Sequence, residues 1–230
     1  MCKEGCGAMK AKLKVVVMGG QSKGYHEFAV MGPIYRQFLE AADCEVKVTE
    51  DRDDFLADRL ADVDVVVDYT TAGSLTDSQA AGLLNFIKGG RGFVGVHSAA
   101  DSFHNSRAYE RMVGGVFLTH PPTIPHPFQV VKPTHPCMEG VPAAFTMPEE
   151  LYLMDYIGQF DTLMTASFNS FELPVTWVKP YGCGRVFYTA LGHGREQTEQ
   201  LHFQRMVVNA VRWAAEARQV REQCRQVGGW

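Results

Sequence analysis

The chain has 230 residues, 46% of them hydrophobic and 21% charged, with a formal net charge of −4. That composition belongs to an ordinary globular protein and gives no electrostatic case for binding nucleic acid or an anionic membrane. No apolar run approaches the ~20 residues that a membrane-spanning helix needs. The first residues, MCKEGCGAMKAKLK, lack the apolar core and small-residue cleavage site of a signal peptide. Cys2, Cys6, Cys44, Cys137, Cys183 and Cys224 are scattered without a framework spacing, which fits a reducing compartment. The expectation is a cytoplasmic protein with a loosely ordered tail over residues 1–11 and a single domain over residues 12–230.

In chain order, residues 13–18 (LKVVVM) form a nearly continuous apolar run, as in a strand covered on both faces. The GGQSKG that follows is neither a Walker A loop nor a G-x-G-x-x-G fingerprint, so no nucleotide cofactor is assigned to it. Residues 27–42 place Phe28, Met31, Ile34, Tyr35, Phe38 and Leu39 at helical spacing, with Pro33 near the start. Residues 44–48 read as a second strand, 55–60 as a short helix and 63–69 (VDVVVDY) as a third strand. Thr76 makes an N-cap for a helix running to Lys88, which Gly89-Gly90 ends. Residues 92–96 (GFVGV) are a fourth strand, leading straight into His97. This alternation predicts a doubly wound α/β fold with a mainly parallel sheet.

From residue 116 the texture changes. Prolines and histidines crowd the stretch THPPTIPHPFQVVKPTHPCMEGVP, and short β-rich pieces follow at 128–131, 163–166 and 175–178. GRVFYTA (184–190) is a strong strand. Residues 199–223 form an amphipathic helix bearing Phe203, Met206, Val207, Ala210, Val211 and Trp213. The second half therefore adds antiparallel strands to the parallel core.

Ligands of open parallel sheets bind outside the carboxyl ends of the strands. There the chain delivers Gln21, Ser22, Lys23, Tyr25 and His26 after the first strand, and Thr70 and Thr71 after the third. His97, Ser98 and Asp101 follow the fourth, and Gly192, His193 and Arg195 follow the GRVFYTA strand. Four segments thus bring imidazoles, hydroxyls and a carboxylate to one rim. Imidazole serves as acid, base or metal ligand, and His26, His97 and His193 are the candidates to hold a divalent metal, with Zn2+ first. No cysteine falls at a strand's carboxyl end, which argues against a thiol hydrolase or amidotransferase. Cys2 and Cys6 are read as part of an inert tail.

The ordered motifs GYHEF (24–28), GFVGVHSAAD (92–101), Tyr109, GGVFLTHP (114–121), His135-Pro136, EELY (149–152), PVTW (174–177) and GRVFYTALGH (184–193) resemble the ThuA, or trehalose utilisation, family. The resemblance implies a flavodoxin-like fold akin to class I glutamine amidotransferases, without their catalytic cysteine. It also implies a part in bacterial sugar catabolism, linked to oxidoreductases that make 3-keto sugars. Glu27 and Glu149 stand where the family pattern has Asp.

The expected function is a sugar-processing enzyme acting on a disaccharide or 3-keto sugar by His/carboxylate acid–base chemistry, assisted by the metal. His97, oriented by Asp101, and His193 are the expected catalytic groups. Tyr25, His26, Thr70, Thr71, Ser98, Tyr109, His120, Glu150 and Tyr152 are the expected substrate contacts. The alternative is a non-catalytic sugar-binding protein on the same scaffold, and a third is an assembly partner docking through Trp213 and Trp230. A homo-oligomer is expected.

Overall fold

A computed structural model describes residues 11–20 and 25–228, without the side chains of residues 218–228. Residues 1–10 with Cys2 and Cys6, the residues Gln21, Ser22 and Lys23, the Cys224 side chain and Trp230 lie outside the described residues.

Nine strands form one mixed sheet in the order β2-β1-β3-β4-β11-β10-β9-β6-β7. Its parallel half comprises β1 (Leu13–Met18), β2 (Cys44–Thr49), β3 (Val65–Asp68), β4 (Gly92–Val96) and β11 (Gly184–Thr189). With β11 taking the fifth place, this is the flavodoxin-like order 2-1-3-4-5. The antiparallel half extends it through β10 (Phe171–Tyr181), β9 (Asp161–Phe168), β6 (Ile124–Val130) and β7 (Ala144–Glu149). A separate antiparallel pair joins β5 (Gly115–Thr119) and β8 (Leu153–Tyr156). The fold class expected from the sequence is the one found.

Helix α1 (Phe28–Ala41) packs against α5 (Leu201–Gly228), while α2 (Asp77–Lys88) packs against α3 (Arg107–Val113). A short α4 (Arg195–Thr198) precedes α5. The core follows from the strand composition: Val65, Val66 and Val67 of β3 and Phe93, Val94 and Val96 of β4 are all fully buried, as strands with helices on both faces require. Trp177 on β10 is also sealed inside, its Nε1 donating to Val113 O at 2.9 Å.

The short helix expected at 55–60 is displaced. The Asp51 side chain accepts from Asp53 N and starts a 3-10 helix at Arg52–Phe55, and Leu56 ends it with φ −65° and ψ 149°. Strands β5, β7 and β8 and helix α3 are additional to the sequence-based elements. Proline concealed the pairing around β6. Its Pro125 and Pro127 pair with β7 alone, while β9 pairs only Phe128–Val130. The proline segment is thus a local sheet edge, where a missing N–H is tolerated.

Candidate functional site

Strands β2 and β3 lie on opposite sides of β1, so the crevice between the carboxyl ends of β1 and β3 is a topological switch point, where open α/β sheets take ligands. His26 follows β1 there, and Thr71 follows β3. The two are joined, with His26 Nδ1 2.8 Å from Thr71 Oγ1. His97 follows β4 and His193 follows β11, so the imidazoles arrive from three strands of the parallel half, β4 and β11 adjacent and β1 separated from β4 by β3.

Two of these rings sit on strained backbone. His26 has φ 52° and His97 φ 47°, in the left-handed region that non-glycine residues rarely adopt. Such strain persists where surrounding contacts over-determine it. His97 is fully buried, its Nδ1 lies 2.7 Å from Ala190 O, and its own carbonyl accepts from Tyr188 Oη at 2.8 Å. Because a carbonyl only accepts, the Nδ1 must carry the proton. The Nε2 of a neutral His97 is then bare and faces the crevice.

What it faces is a carboxylate from the other half of the sheet. Glu150 follows β7 and places Oε2 3.5 Å from His97 Nε2 and 3.0 Å from His193 Nδ1. His193 Nδ1 also lies 3.2 Å from His26 Nε2 and 3.3 Å from His97 Nε2. Two imidazoles and one carboxylate meet around a single nitrogen of the third imidazole.

The charges are divided unevenly among them. Burial, then the neighbouring His97 and His193, depress His26 to about 3. Burial likewise lowers His97, so both rings are neutral at neutral pH. The hydrogen bond to Glu150 instead raises His193. Burial works to raise Glu150, but the hydrogen bonds from His193 and His97 outweigh it and hold the carboxyl well below its ordinary range. The site therefore contains one ionised carboxylate, one imidazole inclined to protonate and two neutral ones. That combination sets a proton acceptor beside a proton donor within one cleft.

Two further residues fix this geometry. Glu149 is 1% exposed, and its carboxylate accepts from Gly192 N at 2.7 Å, His193 N at 3.2 Å and Glu150 N at 3.1 Å. Tyr69 Oη donates to His193 O at 2.5 Å. The loop itself turns on Gly192, whose φ of 104° suits glycine and whose Cβ position would lie 2.7 Å from the Phe203 ring.

The remaining sequence-predicted residues are distributed as follows. Tyr25 is 70% exposed beside His26. His120 lies outside the buried cluster, its Nε2 3.6 Å from Glu150 Oε1. Tyr152 is buried beneath the site, its ring centroid 4.2 Å from that of His97. Three others point inward and are not on the rim. Thr70 is buried and donates to Ser102 Oγ at 2.8 Å, and Ser98 is fully buried. Tyr109 is buried with its Oη 2.6 Å from Asp68 Oδ2 and 2.9 Å from Ala99 O, which makes it a core tether instead of a sugar platform. The expected pairing of Asp101 with His97 does not form. Asp101 lies 3.2 Å from His104 Nε2, and the His97 ring is oriented by Ala190 O.

Asp68 and Tyr69 carry a signal in the sequence, a polar pair closing the Val65–Val67 run at the carboxyl end of β3. The structural role of Glu149 had no such signal.

The ThuA family, described as trehalose utilisation, matches residues 14–214. No curated protein matches the sequence. Among solved structures, a thua-like protein from Parabacteroides merdae superposes with a TM-score of 0.79 at 20% identity, covering 89% of this chain and 90% of the other. A thua-like protein from Bacteroides uniformis gives 0.74 at 22% identity, covering 92% and 95%. A cytoplasmic protein from Salmonella typhimurium gives 0.65 at 13% identity, covering 88% and 99%. With the family match spanning most of its length and the same fold in these structures, the chain belongs to the ThuA (trehalose utilisation) family.

Proposed function

We propose that the chain is a carbohydrate-processing enzyme acting on a disaccharide or a 3-keto sugar by acid–base chemistry at the His97–Glu150–His193 cluster. The observation that carries the reading is the Glu150–His193 pair at 3.0 Å, set beside a neutral, fully buried His97 at the carboxyl edge of the sheet. The family's association with trehalose utilisation supports a sugar as the ligand. Among the described residues no helix is long and apolar enough to cross a membrane. The Salmonella structure's description as cytoplasmic supports the same compartment here.

A 3-keto sugar suits this arrangement because the carbon beside the carbonyl is acidic. A base removes its proton and leaves an enolate. Return of a proton to the neighbouring position gives isomerisation. Return to the other face of the same carbon gives epimerisation. Expulsion of the oxygen on the adjacent carbon, protonated as it leaves, gives elimination. Each route needs one group that accepts a proton and one that donates it within a single cleft, and Glu150 and His193 form such a pair. Exposed Tyr25 and His120, at the margin of the cluster, are the groups available to contact the sugar.

The test is to incubate the purified protein with trehalose, other disaccharides and their 3-keto derivatives and to follow products by NMR. Conversion of a keto sugar is expected. Glu150→Gln and His193→Asn should each slow it by roughly a hundredfold or more, the weight that a positioned acid or base carries. Saturable sugar binding without any turnover would overturn the enzymatic reading in favour of a sugar-binding protein.

A further inference from the structure

From the convergence of His26 Nε2, His97 Nε2, His193 Nδ1 and Glu150 Oε2 on one point, we infer a mononuclear site for a divalent first-row transition ion. The inference shares its side chains with the acid–base reading above, but it stands on different observations and fails by a different test.

The first observation is spacing. The four atoms all lie within 4.8 Å of one another. Four of the separations are 3.0, 3.2, 3.3 and 3.5 Å. Nitrogen and oxygen ligands at ~2.0–2.1 Å from a zinc-like ion in tetrahedral array stand about 3.4 Å apart. The set is close to ligating dimensions already.

The second is an excess of acceptors. The Nδ1 proton of His97 is committed to Ala190 O, and Thr71 Oγ1 is placed to accept that of His26. The bare Nε2 of His97 and Glu150 Oε2 then compete for a single proton on His193 Nδ1, with His26 Nε2 3.2 Å from the same nitrogen. One proton satisfies one acceptor. A cation at the centre satisfies all four.

The third is the outer ring of contacts. Ligating imidazoles characteristically donate their second N–H to a carbonyl, carboxylate or similar acceptor, which fixes the tautomer and the ring plane. His97 has that partner in Ala190 O and His26 has it in Thr71. The loop bearing His193 and the backbone of Glu150 are held by Glu149. Three imidazoles with one carboxylate form a borderline donor set, suited to Zn2+, Co2+, Ni2+, Fe2+ or Mn2+ and unsuited to Ca2+ or Mg2+, which favour oxygen shells.

The experiment uses the full chain, stripped with chelator and titrated with Co2+ while its visible ligand-field absorption is recorded. One equivalent should bind, Zn2+ should displace it, and a large excess of Mg2+ should not. Glu150→Gln and His193→Ala should weaken Co2+ binding by more than the ~10–100-fold that loss of an outer partner costs. His135→Gln, altering an imidazole that packs on Trp213, should leave it unchanged. Absence of a visible band from the folded wild-type protein, or a band unaltered in both ligand variants, would overturn the site. Keto-sugar turnover by protein that binds no ion would remove the metal and leave the carbohydrate reading standing. Stoichiometric Co2+ binding with no turnover of any sugar would do the reverse.

Discussion

Glu149 shows how one side chain can organise several others without facing the cleft. It lies in an apolar interior, and burial raises its carboxyl to about 8 in spite of three backbone N–H donors. Those donors come from both sides of the site, Glu150 on one strand end and the Gly192–His193 loop on the other. Truncation in Glu149→Ala would strand three buried donors, each worth on the order of 1–3 kcal/mol when left unpaired. We expect a loss of at least about 2 kcal/mol in urea unfolding, with weaker Co2+ binding alongside. An Ala variant as stable as wild type would show that the contact is incidental. Asp68 offers a cleaner pH experiment. Burial raises its carboxyl above the ordinary 3.8, against the bonds from Tyr109 and Thr70. The folded state therefore keeps a proton that the unfolded chain releases once the pH exceeds 3.8. Stability from this group falls as pH rises through that window, up to the folded value. Asp68→Asn removes the titration, so its stability relative to wild type should improve as the pH rises above about 4. Urea midpoints that moved the other way would contradict the burial argument.

The rim histidines were legible for a simple reason. His26, His97 and His193 each follow a strand, and the carboxyl-end rule needs only the strand order. Asp101 was misread because the turn after β4 is a 3-10 helix at His97–Asp101. At about 120° per residue, position i+4 points well away from position i, whereas an α-helix would have brought the two nearly into line. Glu150 could be named but not placed, since its meeting with His193 depends on β7 returning from the far edge of the sheet. Nothing local in EELY encodes that path.

At the scale of elements, α2 illustrates which features a sequence displays and which it hides. Its N-terminus is fully displayed. Thr76 Oγ1 accepts from Gln79 N at 3.3 Å and Gln79 Oε1 accepts from Thr76 N at 2.9 Å, a reciprocal cap. Gln79 Nε2 also donates to Asp53 Oδ1 at 2.8 Å, which ties the helix to the 3-10 turn that replaced the expected helix. The close approach behind that contact is hidden. A Cβ on Gly82 would stand 2.1 Å from the Phe55 carbonyl oxygen, a backbone atom that cannot swing aside. Helix propensity alone would make Gly82→Ala stabilising by about 1 kcal/mol. Overpacking against backbone costs about 1–3 kcal/mol and should win. The expected net effect is a lower melting temperature, and a higher one would mean that the segment 52–57 yields freely. The same contrast explains the second half of the chain. The strand signals of β10 and β11 lie in the β-branched and aromatic stretches Val175–Val178 and Val186–Thr189, whereas in β6 the prolines fall where the strand is paired on one side only and in β7 at the outer edge of the sheet.

For the whole molecule, the sheet joins two unlike halves around one site. The parallel half supplies three imidazoles from the ends of β1, β4 and β11, and the antiparallel half supplies the carboxylate from the end of β7. An ion bound at their junction would link the halves, so its binding energy would appear as global stability. If the unfolded chain holds the ion weakly, Zn2+ at a hundred times its dissociation constant adds about 2.7 kcal/mol. For a chain of this size each kcal/mol raises the melting temperature by ~2–4 °C, giving roughly 5–11 °C in a thermal melt. Mg2+ at the same concentration should give no shift, because the donor set is three nitrogens and one oxygen. Glu150→Gln should lose most of the Zn2+ increment by weakening the ion's hold, even if it melts near the stripped wild-type protein. A Zn2+ increment that survived intact in Glu150→Gln would place the stabilising ion elsewhere on the chain and detach it from this site.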